Sequence, residues 1–190
     1  VLDSKTQYLK KLEKARNVWH CATSRIYETS TITRENTVGT YRYEQAQTDI
    51  SIRKCIEVRR AVFVEEQGVA EELEVDGLDD QCIHFLCRHT QENFNGGLTT
   101  IAPVAAGRIL PRGDIAKIQR VAVLESHRKG GTGRGIMEYM LEFARKEGFG
   151  QAVLGSQVEV IGFYEKLGFV PFGNQYEEAG IQHQNMRLAL

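Results

Sequence analysis

The sequence predicts a mixed α/β domain, a central sheet with helices on both faces, carrying a helical extension at its N-terminus. Three observations predict it. Strand-like and helix-like stretches follow one another without a strict alternation and without separating into halves. The length of 190 residues suits one domain and an extension, at roughly 100–200 residues per domain. Hydrophobic residues make up 42 % of the chain and charged residues 26 %, enough apolar material for a sizeable core.

The extension comes first. Ser4 and Gln7 have capping-box spacing, and Leu9, Leu12, Ala15 and Trp19 form the stripe of an amphipathic helix. Lys5, Lys10, Lys11 and Lys14 read as its solvated face. From 23 to 40 the chain is rich in Ser, Thr and charge and reads as a linker. The expected division is therefore an extension over 1–40 and a domain over 41–190.

Within the domain, 41–47 alternates aromatic and polar residues, as a strand does. Asp49 or Ser51 then caps a helix to about Gln67, with Ile52, Cys55, Ile56, Val62 and Phe63 inward. The stretch 69–81 is acidic, and the expected form is a solvated loop with a turn at Asp76-Gly77. Attraction of a cationic amine is the second reading of those acids. Strands follow at 82–88, 99–110 and 115–124, with a polar hairpin loop at 89–97 and a turn at 111–114. A helix after residue 134 buries Ile136, Met137, Met140, Leu141 and Ala144 and ends at Gly148. A strand at 151–156, a helix at 158–167 stopped by Gly168, and strands at 169–172 and 185–190 complete the order.

Charge and composition exclude several classes. Lys and Arg number 24 against 25 Asp and Glu, so no basic excess marks a nucleic-acid surface. No apolar run approaches the ~20 residues of a membrane span, so no membrane partner is expected. Cys21, Cys55, Cys82 and Cys87 are scattered, with no CxxC and no zinc spacing. A reduced, cytoplasmic setting and no metal are the expectations.

The strongest local signal is the basic glycine-rich turn Arg128-Lys129-Gly130-Gly131-Thr132-Gly133-Arg134, set between a strand and a helix. Glycines admit close backbone approach, and the first amides of a helix lack internal partners. Together they suit a phosphate or pyrophosphate. The P-loop and dinucleotide patterns both fail; what fits is Arg128-x-x-Gly131-x-Gly133.

That pattern, after Gln119-Arg120-Val121-Ala122-Val123-Leu124, resembles the acetyl-CoA pyrophosphate loop of the GNAT acetyltransferase superfamily. Gln157-x-x-Val160-x-x-Phe163-Tyr164-Glu165-Lys166-Leu167-Gly168-Phe169 is similar to the later motif of that family. Arg59-x-x-Val62-Phe63-Val64-x-Glu66-Gln67, Glu74-x-Asp76-Gly77-x-Asp79, His84 and Ala179-Gly180-Ile181-x-His183-x-x-Met186 resemble its YjcF/ElaA-like branch. The resemblance covers 41–190 and implies a mostly antiparallel central sheet in which one strand splays from its neighbour.

It also implies acetyl-CoA as co-substrate, an amine as acceptor and N-acetyltransferase activity. Val121, Ala122 and Val123 would meet pantetheine, with an amide there facing the oxyanion. Arg128, Lys129, Gly130, Gly131, Thr132, Gly133 and Arg134 would cradle the pyrophosphate, and Gln157, Phe163 and Tyr164 would complete the cofactor site. Gln157 and Val160 stand where many members have Asn and Ala. Gly135, inside the helix, either makes room near the cofactor or is simply tolerated.

Tyr164 matches the position of the acid that protonates the departing CoA thiolate. The family's strand glutamate has no counterpart here, since the strand offers Gln119. Glu66 and His183 are the candidate bases, with bulk water as the third route. His84 reads as a core residue and His127 as a loop residue near the anion site. Homodimers are common in such families, so a homodimer is one expectation. The rival reading of the whole chain is a CoA-binding sensor or interaction module without catalysis.

Overall fold

The computed structural model describes residues 29–34, 37–93 and 100–190. The expected N-terminal helix lies outside them. The described chain forms a nine-stranded sheet in the order β1-β2-β3-β4-β5-β6-β9-β7, with β8 paired to β9. The strands are β1 (Thr29–Arg34), β2 (Thr37–Ala46), β3 (Ile83–Asn93), β4 (Thr100–Arg112), β5 (Ile115–Val123), β6 (Gln151–Gln157), β7 (Val170–Pro171), β8 (Tyr176–Glu178) and β9 (Ile181–Ala189). All pairings are antiparallel except β5 with β6.

Helix α1 (Asp49–Arg59) covers one face. Its Cys55 and Val58, with Val62 beyond, pack on Ala46, Leu86, Ala106 and Ala122. Thr48 is the N-cap: Ser51 N–H donates to Thr48 Oγ1 at 3.2 Å and Thr48 N–H donates to Ser51 Oγ at 3.0 Å. The cap is thus one residue earlier than Asp49, with Ser51 as its reciprocal partner. The helix continues as a π-helical segment, Arg60–Glu66, closed by Gln67 N–H donating to Val62 O at 3.2 Å.

Helix α3 (Thr132–Lys146) covers the opposite face; between them in sequence lies the short α2 (Glu71–Glu74). Ile136, Met137, Met140, Leu141, Phe143 and Ala144 bury against Phe85, Ile109, Ile118 and Leu154. Helix α4 (Ile161–Glu165) lies on this face too, through Phe163 and Tyr164. Gly148, at φ +74°, ends α3 as its position in the sequence predicts.

Several expectations change. The linker read over 23–40 holds strands: β1 and the start of β2 occupy 29–34 and 37–40. The boundary drawn at residue 41 falls inside β2. The stretch read as hairpin loop from His89 is strand as far as Asn93, in register with β2 back to Thr37. Polar side chains misled there; the ladder holds the strand, not an apolar face. Strand β8, at three residues, is too short to carry an alternation signal in the sequence.

The acidic stretch departs most from expectation. Asp76-Gly77 does make the turn, with Leu78 N–H donating to Asp76 Oδ1 at 3.1 Å. But the segment is no solvated loop. Glu74 is buried beside Arg59, which is itself fully buried, and Arg120 reaches Glu74 Oε2 at 2.8 Å. Asp79 takes Arg59 at 2.7 Å and the buried Arg108 at 2.8 Å, and Asp76 also pairs with Arg108. Buried arginines need such partners, since an unpaired charge in the interior is costly.

Candidate active site

β5 and β6 pair only at Ile115–Gln151, Ala116–Ala152 and Lys117–Val153. Beyond that the two strands lack ladder partners in each other, so β5 presents an open backbone edge from Ile118 onward. A bulge marks the divergence: between Ala106 and Arg108 of β4, β5 carries an extra residue, and Arg120 takes φ +55°. Val121, Ala122 and Val123 follow on the open stretch. Val121 and Val123 lean toward the α3 core and Ala122 toward the α1 core.

The basic turn lies at the end of that edge. Glu125–His127 form a 3₁₀ turn, Lys129 takes φ +62° and Gly131 takes φ +85° as N-cap of α3. The first intrahelical bond runs from Gly135 N–H to Gly131 O, so the amides of Thr132, Gly133 and Arg134 have no helix partner. Thr132 is buried and its Oγ1 has no protein partner. A Cβ at Gly133 would stand 3.6 Å from Val123 and 3.8 Å from the Phe163 ring, so these three sequence-predicted residues converge. Left-handed residues, unpaired amides and the helix dipole make an anion cradle.

Arg128 is already engaged. Its Nε donates to Val123 O at 2.9 Å, and its guanidinium grips Glu66 at 2.7 and 2.6 Å. The Arg128 hydrogen bonds hold the Glu66 carboxyl below the usual range. Next to Glu66, Gln67 accepts from Gln157 Nε2 at 3.2 Å. The C-terminal end of the α1 helix therefore touches the turn after β5 with one residue and the end of β6 with the next. Sequence reasoning assigned Gln157 to the cofactor; it missed Gln67 as its partner.

Tyr164 packs edge-on against Phe163 and Phe169, with ring centroids at 5.0 and 6.0 Å. Burial pushes its phenol up to about 12, so it stays protonated. His183 pairs with Gln157 across β9 and β6. Its Nδ1 donates to Ile181 O at 2.8 Å, which leaves the lone pair on Nε2. Gln119 stands beside Arg108 in the ladder, and its Oε1 is buried with no protein partner. His84 is buried and donates from Nε2 to Asp79 O at 2.9 Å, in the core as expected. His127 meets the Tyr41 hydroxyl at 3.1 Å, and His89 completes that ring cluster.

Gly135 has a packing reason: a Cβ there would collide with the Tyr43 ring. The described thiols Cys55, Cys82 and Cys87 are raised by burial to about 12, 11 and 12, which keeps them protonated.

A strand leaves its parallel neighbour, an amide cradle follows at the next helix, and Phe163 beside the cradle carries the half-buried Tyr164 next to it in sequence. The model of the acetyltransferase (GNAT) domain matches residues 88–190. This chain belongs to the GNAT acetyltransferase family. YyaT of Bacillus subtilis is 33 % identical over 139 residues, 72 % of this chain and 87 % of YyaT. The N-acetyltransferase YjcF of the same bacterium is 31 % identical over 142 residues, 74 % of this chain and 94 % of YjcF. The crystal structure of Escherichia coli ElaA superposes with a TM-score of 0.63 at 27 % identity, covering 77 % of this chain and 98 % of ElaA. This GNAT protein is an acyl-CoA-dependent N-acetyltransferase. Among the described residues no helix is long and apolar enough to cross a membrane.

Proposed function

We propose that the donor is acetyl-CoA and that its acetyl group passes directly to a primary amine. The divergence of β5 from β6, with the amide cradle at its end, is the observation that carries this reading. Pantetheine would lie along Val121, Ala122 and Val123, with Gly130 to Arg134 and Lys129 around the pyrophosphate. The amine nitrogen attacks the thioester carbonyl, and an open amide of β5 donates to the oxyanion. The C–S bond then breaks, Tyr164 gives its proton to the CoA thiolate, and His183 Nε2 takes the proton leaving the amine. The protonated thiols favour this direct route over a cysteinyl intermediate. Glu66 is assigned to ordering Arg128, since a carboxylate made more acidic is a weaker base. A soluble cytoplasmic enzyme, alone or as a homodimer, is consistent with this assignment.

Two measurements test it. Acetyl-CoA should stabilise the wild type by about 2.7 kcal/mol at 100 times Kd, read as a higher thermal midpoint, and fail to do so in Gly131→Asp. Phosphate alone should have no comparable effect. Tyr164→Phe should then lower kcat for acetyl transfer by roughly 10²-fold or more while binding acetyl-CoA normally. Normal turnover in Tyr164→Phe would remove the phenol from the mechanism. Binding without transfer to any amine would favour the CoA-sensor reading, which the Gln119 position also suits.

A further inference from the structure

The face of the sheet that the amine acceptor must approach narrows its chemistry. α1 packs on β2 to β5 through the cluster around Leu86, Ala106 and Ala122. Among the described residues, the same face of β6 and β9 has no such helix against it. Ala152 and Leu154 bury into the α3 core, so Val153, Gly155 and Gln157 present the α1 side. Their ladder partners Arg187, Asn185 and His183 share that side. β8 adds Tyr176, whose ring stacks on His183 with centroids 5.7 Å apart and planes 24° apart. The wall opposite the α1 end is therefore Gln157, His183 and Tyr176.

The sequence accommodates Tyr176 at a specific cost in side-chain space. A Cβ at residue 155 would collide with the Tyr176 hydroxyl, so Gly155 is the notch into which that phenol reaches. Gly155 is otherwise an ordinary strand position, where a glycine weakens the strand. The charges around the cleft point the same way. Four acids of the α1–β3 connection face arginines: Glu74, Asp76 and Asp79 are held by Arg59, Arg108 and Arg120, and Glu71 by Arg60, while Glu72 and Asp80 have no arginine pair among the described residues. Arg120 is partly exposed beside the open stretch of β5, and Arg187 lies over the Phe172 ring at 5.4 Å. Glu178 stands farther out, at the β8–β9 turn.

We propose that Tyr176, seated in the Gly155 notch and stacked on His183, is the acceptor-selecting wall, and that the acceptor is a monoamine carrying an aromatic or apolar group. The ring offers a flat apolar surface for that group. His183 Nε2 meets the amine. A polyamine or polycationic sugar finds Glu74, Asp76 and Asp79 already neutralised by arginines. This inference rests on the transferase reading above.

The experiment compares phenethylamine with spermidine as acceptors of the full chain with acetyl-CoA, then repeats phenethylamine with Gly155→Ala, Tyr176→Phe and the double variant. Phenethylamine should have the higher kcat/KM by about tenfold or more. Gly155→Ala should raise its KM about tenfold by displacing the Tyr176 hydroxyl, with acetyl-CoA stabilisation unchanged. The double variant, which removes the colliding oxygen, should recover most of that loss. A preference for spermidine, or an unchanged KM in Gly155→Ala, overturns this wall while leaving amine acetylation standing. No transfer to either amine, with acetyl-CoA still bound, overturns this inference; only a failure across a broad panel of amines would overturn the primary-amine reading on which it rests.

Discussion

At the scale of single residues, Glu66 shows how a candidate base can carry a different role. Its two bonds to Arg128 are short and bidentate, and they hold the carboxyl below its ordinary range. Amine deprotonation asks for the reverse, a pKa closer to neutrality. Both partners are more than a third exposed, so the pair contributes at most about 1 kcal/mol. Glu66→Gln should therefore weaken CoA binding by roughly fivefold or less and leave the pH–rate profile in place. Calorimetric titration with CoA and kcat/KM from pH 6 to 9 would check both parts. Loss of the acidic limb in Glu66→Gln would make Glu66 the base and withdraw His183. Tyr164 is the contrasting case, a phenol that burial raises to about 12, in keeping with the acid role proposed for it.

At the scale of elements, α3 separates what local sequence says from what packing requires. Helix propensity alone says that Ala at residue 135 would be better than Gly by about 1 kcal/mol. The Tyr43 ring occupies the place of that Cβ, and Tyr43 is buried and stacked with Tyr139 at 6.5 Å. Gly135→Ala should therefore destabilise the fold by about 1–3 kcal/mol, the range for an overpacked core. Urea unfolding would show it, and Tyr43→Leu in the same chain should recover part of the loss. A more stable Gly135→Ala protein would mean that propensity outweighs the contact. The same division explains which elements were legible. The stripe of α3, the glycine stops and the Arg128-x-x-Gly131-x-Gly133 turn are patterns over a few neighbours, and a sequence displays them directly. The Thr48–Ser51 box was within reach too, since Thr and Ser stand three apart before an apolar run. Strand β8 and the far half of β3 exist because of partners elsewhere in the chain. So does the bridge from Gln67 to Gln157, ninety residues apart.

At the scale of the whole molecule, the arginine–carboxylate network ties α1, the α1–β3 connection and strands β4 and β5 into one unit. No local pattern discloses it, because each pair joins residues distant in sequence, such as Arg108 with Asp76. Burial pushes the Asp76 carboxyl up, but its bonds with Arg108 and Leu78 N–H prevail and bring it down to about 2 from 3.8. Burial likewise pushes Asp79 up, and Arg59 and Arg108 more than reverse it. Glu74 goes the other way, since burial outweighs the pull of Arg59 and Arg120. A carboxyl depressed by folding stabilises above its unfolded pKa and loses that contribution as pH falls through the folded value. Asp76 alone represents about 2 kcal/mol, lost between about pH 4 and pH 2, with Asp79 adding in the same direction. Glu74, raised in the fold, offsets part of this, and its effect falls at higher pH than theirs. Unfolding free energy measured by circular dichroism should therefore fall most steeply below pH 4. Arg108→Met should lower stability at pH 7 by about 3–5 kcal/mol, because it leaves two carboxylates facing one fewer cation in the interior. It should also flatten the slope below pH 4. If that variant does not fold, Asp76→Asn gives the same reading, since it deletes the titrating group itself. Equal slopes in the wild type and Asp76→Asn would show that the network does not govern acid stability.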